Sequence, residues 1–322
     1  MTGAGVGERR QGGGRRNPGT QGGRPPRDPQ PRHGRDPETP ARRPSRPPPP
    51  AVQADAPARP GRAPRAREHA EDAPADAARE VRLYGINACR AFVARRRDRV
   101  IRGYFTEAVG RRHFATLMKW LAQQRLAYHL VTEAELERIS GSAHHEGVCL
   151  LVRSEPARAA EDWLREHRRV RRSCLLALEN VGNPHNLGAI LRSAAHFGVG
   201  AVLVPDARVL AGGAALRTAE GGAEHVEVLD AASFARTVQD FRAAGWRVVT
   251  TSSHAGSDLY RVTLPEKCLL LFGEESSGLS TALLGSGDLA VRIPGTGNVE
   301  SLNVSVAVGV LLGEWWRRHP PG

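Results

Sequence analysis

The sequence has no Cys-x-x-Cys pair, no apolar run of membrane length, and almost no large apolar side chains in its first quarter. Its four cysteines, Cys89, Cys149, Cys174 and Cys268, are scattered. The last three sit in or beside apolar runs, where cysteine packs as a small core residue. That pattern signals neither a zinc site nor a disulfide framework and suits a reducing compartment. A membrane span needs roughly 20 consecutive apolar residues; the nearest approach, close to the C-terminus, is cut by Ser, Asn, Gly and Glu. The polar, glycine-rich start is unlike a secretory signal. A soluble, cytoplasmic protein is expected.

Residues 1–80 hold 16 of the 23 prolines, and Met1, Val6 and Val52 are their only large apolar side chains. Such a segment cannot bury enough apolar surface to offset the entropy of ordering it, so it is expected to be disordered. Most of the charge is also there: residues 1–67 carry 15 arginines against five acids, in a chain of net charge +12. An arginine-rich arm suits salt-sensitive attraction to a phosphate backbone. The alternative is a solubilising extension with no binding role.

From residue 81 the pattern changes. Spacing predicts helices over Ile86–Arg97, Arg112–Gln124 and Glu133–Ile139, and strands over Val100–Phe105, Tyr128–Val131 and Gly147–Val152. Alternating elements with short connections make residues 81–152 a small α/β domain. Arg95, Arg96, Arg97 and Arg99 crowd one turn, Arg111 and Arg112 follow, and Tyr84, Tyr104 and Trp120 are near in sequence. The first cluster alone fits a solvated helix end equally well; with the tail and these aromatics the composition favours a nucleic-acid face. Residues 153–173 read as a charged linker with at most one helical turn around Trp163. Strands then follow at Cys174–Leu178, Ala201–Val204, Val226–Leu229, Arg247–Ser252, Cys268–Phe272 and Leu289–Ile293, with helices at Leu187–Phe197, Phe234–Ala244 and Ser301–Arg317. Over residues 174–322 this is a mostly parallel sheet covered on both faces.

In such sheets ligands bind beyond the carboxyl ends of the strands, and the loops 179–188, 273–280 and 294–301 leave there. In the first, Asn186 is a candidate helix N-cap, and Gly182, Asn183 and Pro184 shape a turn. Arg192 stands in the following helix among small and apolar residues, where a guanidinium fork suits a phosphate. The second loop opens at Gly273, where backbone can approach a ligand closely, and carries Glu275, an acceptor for hydroxyls. The third, with Gly295 and Gly297, enters a helix that is apolar nearly all round yet begins with Ser301, Asn303 and Ser305. Buried polar groups need partners, so a ligand or a capped loop belongs there. None of the three is a P-loop or a Rossmann fingerprint. The residues alone therefore point to a small-molecule site in an α/β domain, with nucleic acid nearby.

Together, in this order and spacing, the loops resemble the signature motifs of the SpoU/TrmH family, the SPOUT-class RNA 2′-O-ribose methyltransferases. Asn186 to Arg192 is similar to the first motif and Gly273-x-Glu275-x-x-Gly278 to the second. Ile293-Pro294 with Ser301-Leu302-Asn303-Val304-Ser305 is similar to the third, and Arg217–His225 extends the likeness. Residues 81–152, with Tyr84-Gly-Ile-Asn87 and His145-Glu-Gly-Val148, resemble the family's substrate-binding domain. The resemblance implies a trefoil-knotted α/β fold, an exception to the rule against threaded chains. It also implies S-adenosylmethionine held in the knot and a homodimer joined near the knotted helices.

By the same resemblance, Arg192, Asn186, Glu275, Ser301 and Asn303 serve methyl transfer to a ribose 2′-hydroxyl of ribosomal or transfer RNA. Gly273, Ile293, Gly295, Gly297 and Leu302 contact the cofactor, and no metal takes part. Gly295 follows the motif proline where many relatives carry methionine, and Glu274 stands beside Glu275 and can share its work. Gly309 and Gly313, four apart, open one side of the last helix to close approach, and Trp315 and Trp316 suit a subunit contact. Two alternatives remain open: an RNA-binding or ribosome-assembly factor on this fold without turnover, and a base methyltransferase of the same knotted class.

Overall fold

The computed structural model describes residues 80–320. The segment expected to be disordered and its role as an arginine-rich arm lie outside the described residues.

The first domain comprises β1 (Glu80–Tyr84), α1 (Ile86–Arg96), β2 (Val100–Phe105), α2 (Glu107–His113), α3 (Ala115–Gln123), β3 (Tyr128–Leu130), α4 (Glu133–Ser140) and β4 (Val148–Arg153). Its sheet has the order β1-β4-β2-β3, antiparallel except for the β2–β3 pair. One face packs Leu83, Phe105, Val148, Leu150 and Val152 against Phe92 of α1 and Leu117 and Leu121 of α3. The other face meets α4 through Leu136 and Ile139. The helix expected over Arg112–Gln124 is two pieces, broken at Phe114. Its backbone (φ −129°, ψ 15°) leaves the helical region while its buried ring packs on Phe105, 5.5 Å away.

The second domain runs β5 (Arg158–Ala159), α5 (Ala160–His167), β6 (Ser173–Leu178), α6 (Pro184–His196), β7 (Ala201–Val204), α7 (Gly213–Thr218), β8 (Glu227–Asp230), α8 (Phe234–Ala243), β9 (Arg247–Thr251), β10 (Ser257–Asp258), β11 (Lys267–Phe272), α9 (Thr281–Leu284), β12 (Leu289–Arg292) and α10 (Val304–Arg318). Its eight strands lie in the order β10-β12-β9-β11-β6-β7-β8-β5, every pair parallel. Both faces are covered. Along β6, Cys174, Leu176 and Leu178 enter one core with α6 and α10, and Leu175 and Ala177 enter the other with α5 and α8. A strand buried on both faces reads as an unbroken apolar run, and each fully buried Leu or Val contributes ~1.5–3 kcal/mol.

Residues 153–173 are not a linker with a single helical turn. They supply β5, which pairs with β8, and α5, whose Trp163 is 2% exposed. His167 stacks on its indole at 3.8 Å, and Phe241 and Trp246 lie within 6.1 Å. Ala160, Trp163, Leu164 and His167 face inward at helical spacing, while the charges between them face water.

The domains meet along Arg217–His225, and this contact explains the polar residues of that segment. Arg217 Nε donates to His144 O (2.9 Å) and lies 3.4 Å from Glu146. Asn87 Nδ2 donates to Glu220 Oε2 (2.6 Å), Arg96 pairs with Glu224 (3.1 Å), and Arg95 meets His225 Nδ1 (3.1 Å). Glu224 is largely buried, and burial raises its pKa against the pull of Arg96 and Arg95. Arg99 pairs with Glu155, and Arg97 lies over the Trp120 ring at 4.8 Å. The arginine cluster read as a nucleic-acid face is thus spent largely on the domain seam and on its own domain.

Candidate active site

Because β6, β11 and β12 are parallel, the loops that follow them leave from one edge of the sheet. The first two are tied at the base: Glu179 N donates to Phe272 O (2.8 Å), and Glu179 Oε2 accepts from Ser280 N (2.7 Å). Asn183, not Asn186, caps α6; its side chain accepts from His185 N (2.9 Å), with Pro184 in the first turn. That cap followed by proline is a strong local start signal. Asn186 is therefore released from capping. It sits inside the first turn, 7% exposed, with its amide directed across the loops.

The second loop doubles back on itself. Gly278 N donates to Glu274 O (2.8 Å), and Gly278 takes a left-handed φ of 68°. A Cβ on Gly273 would lie 2.0 Å from the Gly278 carbonyl carbon, so only glycine permits the closure. Of the adjacent acids, Glu274 accepts from Ser277 within its own loop (2.8 Å). Glu275 is the one that reaches across.

The third loop completes a triangle. Asn303 Nδ2 donates to Asn186 Oδ1 (3.0 Å) and Glu275 Oε1 (2.9 Å), and Asn186 Nδ2 donates to the same Oε1 (2.8 Å). Asn303 also caps α10, its Oδ1 accepting from Ser305 N (2.9 Å) and Ser305 Oγ (2.6 Å). The helix consequently starts at Val304, and Ser301 and Leu302 lie in the exposed loop before it. A cavity of about 290 Å³ opens beside the triangle, lined by Asn180–Asn183, Asn186 and Glu274–Ser276.

The other expected residues lie on the same three loops and on α6, outside the triangle. Gly273 is the foot of the second loop. Ile293 packs on the main core, and at Gly295 and Gly297 a Cβ would meet nothing within 4 Å. Ser301 is outside the triangle. Arg192, two turns along α6 from Asn186, is exposed and makes no hydrogen bond or ion pair among the described residues. Its backbone is covered by the turn Gly222–His225, where a Cβ on Gly222 would come within 2.9 Å of the Arg192 Cα. Glu179, which ties two loops, and the cap Asn183 were not expected at the site. The Asn-Pro dipeptide announces the cap, but no local pattern announces the tie. The structure brings Asn186, Glu275 and Asn303 together as an amide–carboxylate triangle able to orient a hydroxyl, and Arg192 is neither part of it nor in the lining of the cavity beside it.

Residues 173–313 match the SpoU rRNA Methylase family, and residues 82–157 match the domain described as RNA 2′-O ribose methyltransferase substrate binding. An uncharacterized tRNA/rRNA methyltransferase, YfiF, of Escherichia coli O157:H7 is 48% identical over 242 residues, 75% of this chain and 69% of that protein. The 23S rRNA (guanosine-2′-O-)-methyltransferase RlmB of Salmonella typhi is 32% identical over 243 residues, 74% of this chain and 98% of that protein. A crystal structure of an RNA 2′-O ribose methyltransferase superposes with a TM-score of 0.62 at 26% identity, covering 74% of this chain and 89% of the other.

Proposed function

The chain belongs to the SpoU rRNA methylase family, and from that membership we infer that it is an S-adenosylmethionine-dependent RNA ribose 2′-O-methyltransferase. The observation that carries the reading to particular atoms is the Asn186–Glu275–Asn303 triangle, which joins one residue from each of the three motif loops.

The residues present fit the cofactor. The third loop offers open backbone at Gly295 and Gly297, and the exposed Leu302 adds an apolar contact. Gly273, Ile293, Gly295, Gly297 and Leu302 would hold it chiefly through main-chain groups. When bound, S-adenosylmethionine supplies an electrophilic methyl on a sulfonium whose charge is neutralised in the transfer.

The protein's task is to hold a ribose hydroxyl in line and to manage a reluctant proton. Asn186 orients the hydroxyl, and Glu275 and Asn303 keep Asn186 in place. Ser301, in the exposed approach to α10, positions the substrate sugar. A guanidinium is a donor with no acceptor site, so the role assigned to Arg192 is binding rather than that of a simple base. Its unpaired fork pins a substrate phosphate and stabilises the developing alkoxide, while phosphate or water takes the proton. The fold carries the family's knot, the chain acts as a homodimer through the outer face of α10, and the reaction takes place on ribosomal or transfer RNA in the cytoplasm.

The test uses purified full-length protein, methyl-labelled cofactor, and ribosomal and transfer RNA from a strain lacking the gene. After digestion to nucleosides, label is expected in 2′-O-methylnucleosides with wild type and not with Arg192→Ala. A labelled base on an unlabelled ribose would overturn the reaction. Near-full turnover by Arg192→Lys would overturn the bidentate grip.

A further inference from the structure

One face of the small domain's sheet is only half covered. α4 closes over Tyr84 and Cys149, with Tyr104 packed at the border of that cluster, and the register then sets two rows across the strands. Tyr84, Cys149, Tyr104 and His129 are successive partners. Arg82, Leu151 and Arg102 form the next row on the same face, with Glu80 and Arg153 beyond them. Tyr84 and Cys149 are buried, but Tyr104 is half-buried and His129 exposed, and their rings stack with centroids 5.4 Å apart at 20°. Arg102 is exposed, and its Nη1 donates to the Tyr104 hydroxyl (3.3 Å), which holds the guanidinium at the rim of the stack. The edge strand β3 is open throughout, with Tyr128 40% and Leu130 52% exposed.

The open half of this face, with an aromatic pair and three arginines and with Glu80 as the carboxylate in register, matches the chemistry of an unpaired nucleotide. A free base offers a π-face to an aromatic ring, and its phosphates accept from guanidinium forks. A duplex satisfies only the second demand, since its bases are already stacked. We propose that this open face is a stacking platform for an unpaired nucleotide of the RNA substrate, with Tyr104 and His129 holding the base and Arg82 and Arg102 the adjoining phosphates.

The proposal rests on the reading of RNA as substrate and adds where a single strand is gripped. The platform is joined rigidly to the reaction site. A Cβ on Gly213 of α7 would lie 2.4 Å from Arg82 O and 2.7 Å from the Tyr84 ring. A Cβ on Gly188 of α6 would lie 2.5 Å from Ala215 O and Thr218 Cβ. Two backbone-close contacts thus connect the platform through α7 to the helix that carries Asn186 and Arg192.

The experiment is fluorescence anisotropy of the full chain without cofactor, on a labelled single-stranded RNA of roughly 12 nucleotides, a span such a surface covers, and on the same strand annealed to its complement. Comparing the two cancels sequence-independent attraction elsewhere in the chain. Tyr104→Ala with His129→Ala is expected to weaken single-strand binding roughly 5- to 150-fold, the worth of one base stack, with duplex binding little changed. Tyr104→Phe should retain affinity. Arg82→Ala with Arg102→Ala should lower the salt slope by about 0.7 per lost phosphate contact. Wild-type single-strand affinity in the folded double aromatic variant, or an equal loss on duplex, overturns the platform. Methyl transfer is read separately, so each reading can fail alone: a wild type that methylates RNA while its ring variants bind normally refutes the platform only, and ring-dependent binding without methylation of any RNA refutes the reaction only.

Discussion

Asn186 and Asn303 face each other across 117 residues of chain, with Asn303 Nδ2 donating to Asn186 Oδ1 at 3.0 Å. The same nitrogen reaches Glu275 Oε1, and the opposite end of the same side chain caps α10. One residue therefore serves both stability and geometry, and substitutions can separate them. Asn303→Ser keeps a good cap and cannot bridge to Asn186. Its melting temperature should stay near wild type while methyl transfer falls about 100-fold, the scale of a small misplacement of reacting groups. Asn303→Ala should lose both, with about 1 kcal/mol of stability going with the cap. A Ser variant with full activity would remove the triangle from the mechanism.

Gly273 tests the second loop. A Cβ there would fall 2.0 Å from backbone that cannot move aside without opening the 274–278 turn. Gly273→Ala is expected to destabilise by about 1–3 kcal/mol, the cost of overpacking, and to weaken cofactor binding in isothermal titration by at least about ten-fold, since a 1 Å loop shift breaks aligned hydrogen bonds. Unchanged titration would mean that this loop does not shape the cofactor site.

How far these features were legible depends on whether they are local. The strands at Cys174, Ala201 and Cys268 are apolar runs because both faces are buried, and helix α6 announces itself by period. The segment 153–173 was hidden by its charges, because four inward residues of α5 are outnumbered by arginines and acids that face water. β1 alternates over too few residues to stand out, and α7 is six residues long. Two asparagines three apart competed for one cap, and only the helix start at Pro184 decides for Asn183. The triangle itself was readable as three motifs but not as contacts, because its partners are 28, 89 and 117 residues apart and no periodicity spans such distances. The arginines of α1 looked available for RNA because Glu155 and Glu224, which engage them, arrive from distant chain.

Acid should loosen a carboxylate held by two arginines at the end of α10. Glu314 accepts from Arg317 Nε and Nη2 (both 2.9 Å) and from Arg318 Nε (2.5 Å). These donors, Arg317 first, hold its pKa at about 2, below the ordinary 4.5, against the opposing effect of burial. A depressed carboxylate contributes stability above its unfolded value and loses it as pH falls through the folded one. The stability gap between wild type and Glu314→Gln should be complete at neutral pH, about 1 kcal/mol because Arg317 is open to solvent, and should close between 4.5 and about 2. Denaturant melts over a pH series measure it. A gap that widens toward acid would contradict the assignment.

We propose the outer face of α10 as the homodimer contact. Val304, Val308, Leu311, Leu312 and Trp315 point into the core, and the Trp315 indole donates to Pro265 O (3.1 Å), so this tryptophan is not a subunit contact. Val306 (50% exposed) and Trp316 (41% exposed) instead lie outward, with Gly309 and Gly313 between them. An apolar stripe with two glycines admits another backbone closely and is poorly suited to water. Val306→Glu with Trp316→Glu would place two carboxylates on that stripe without touching the core residues that fold the helix. By light scattering after gel filtration at micromolar concentration, wild type should elute as a dimer and the double variant as a monomer, with helical content and melting behaviour preserved. Equal masses for the two proteins, whether both monomeric or both dimeric, would exclude this face as the subunit contact.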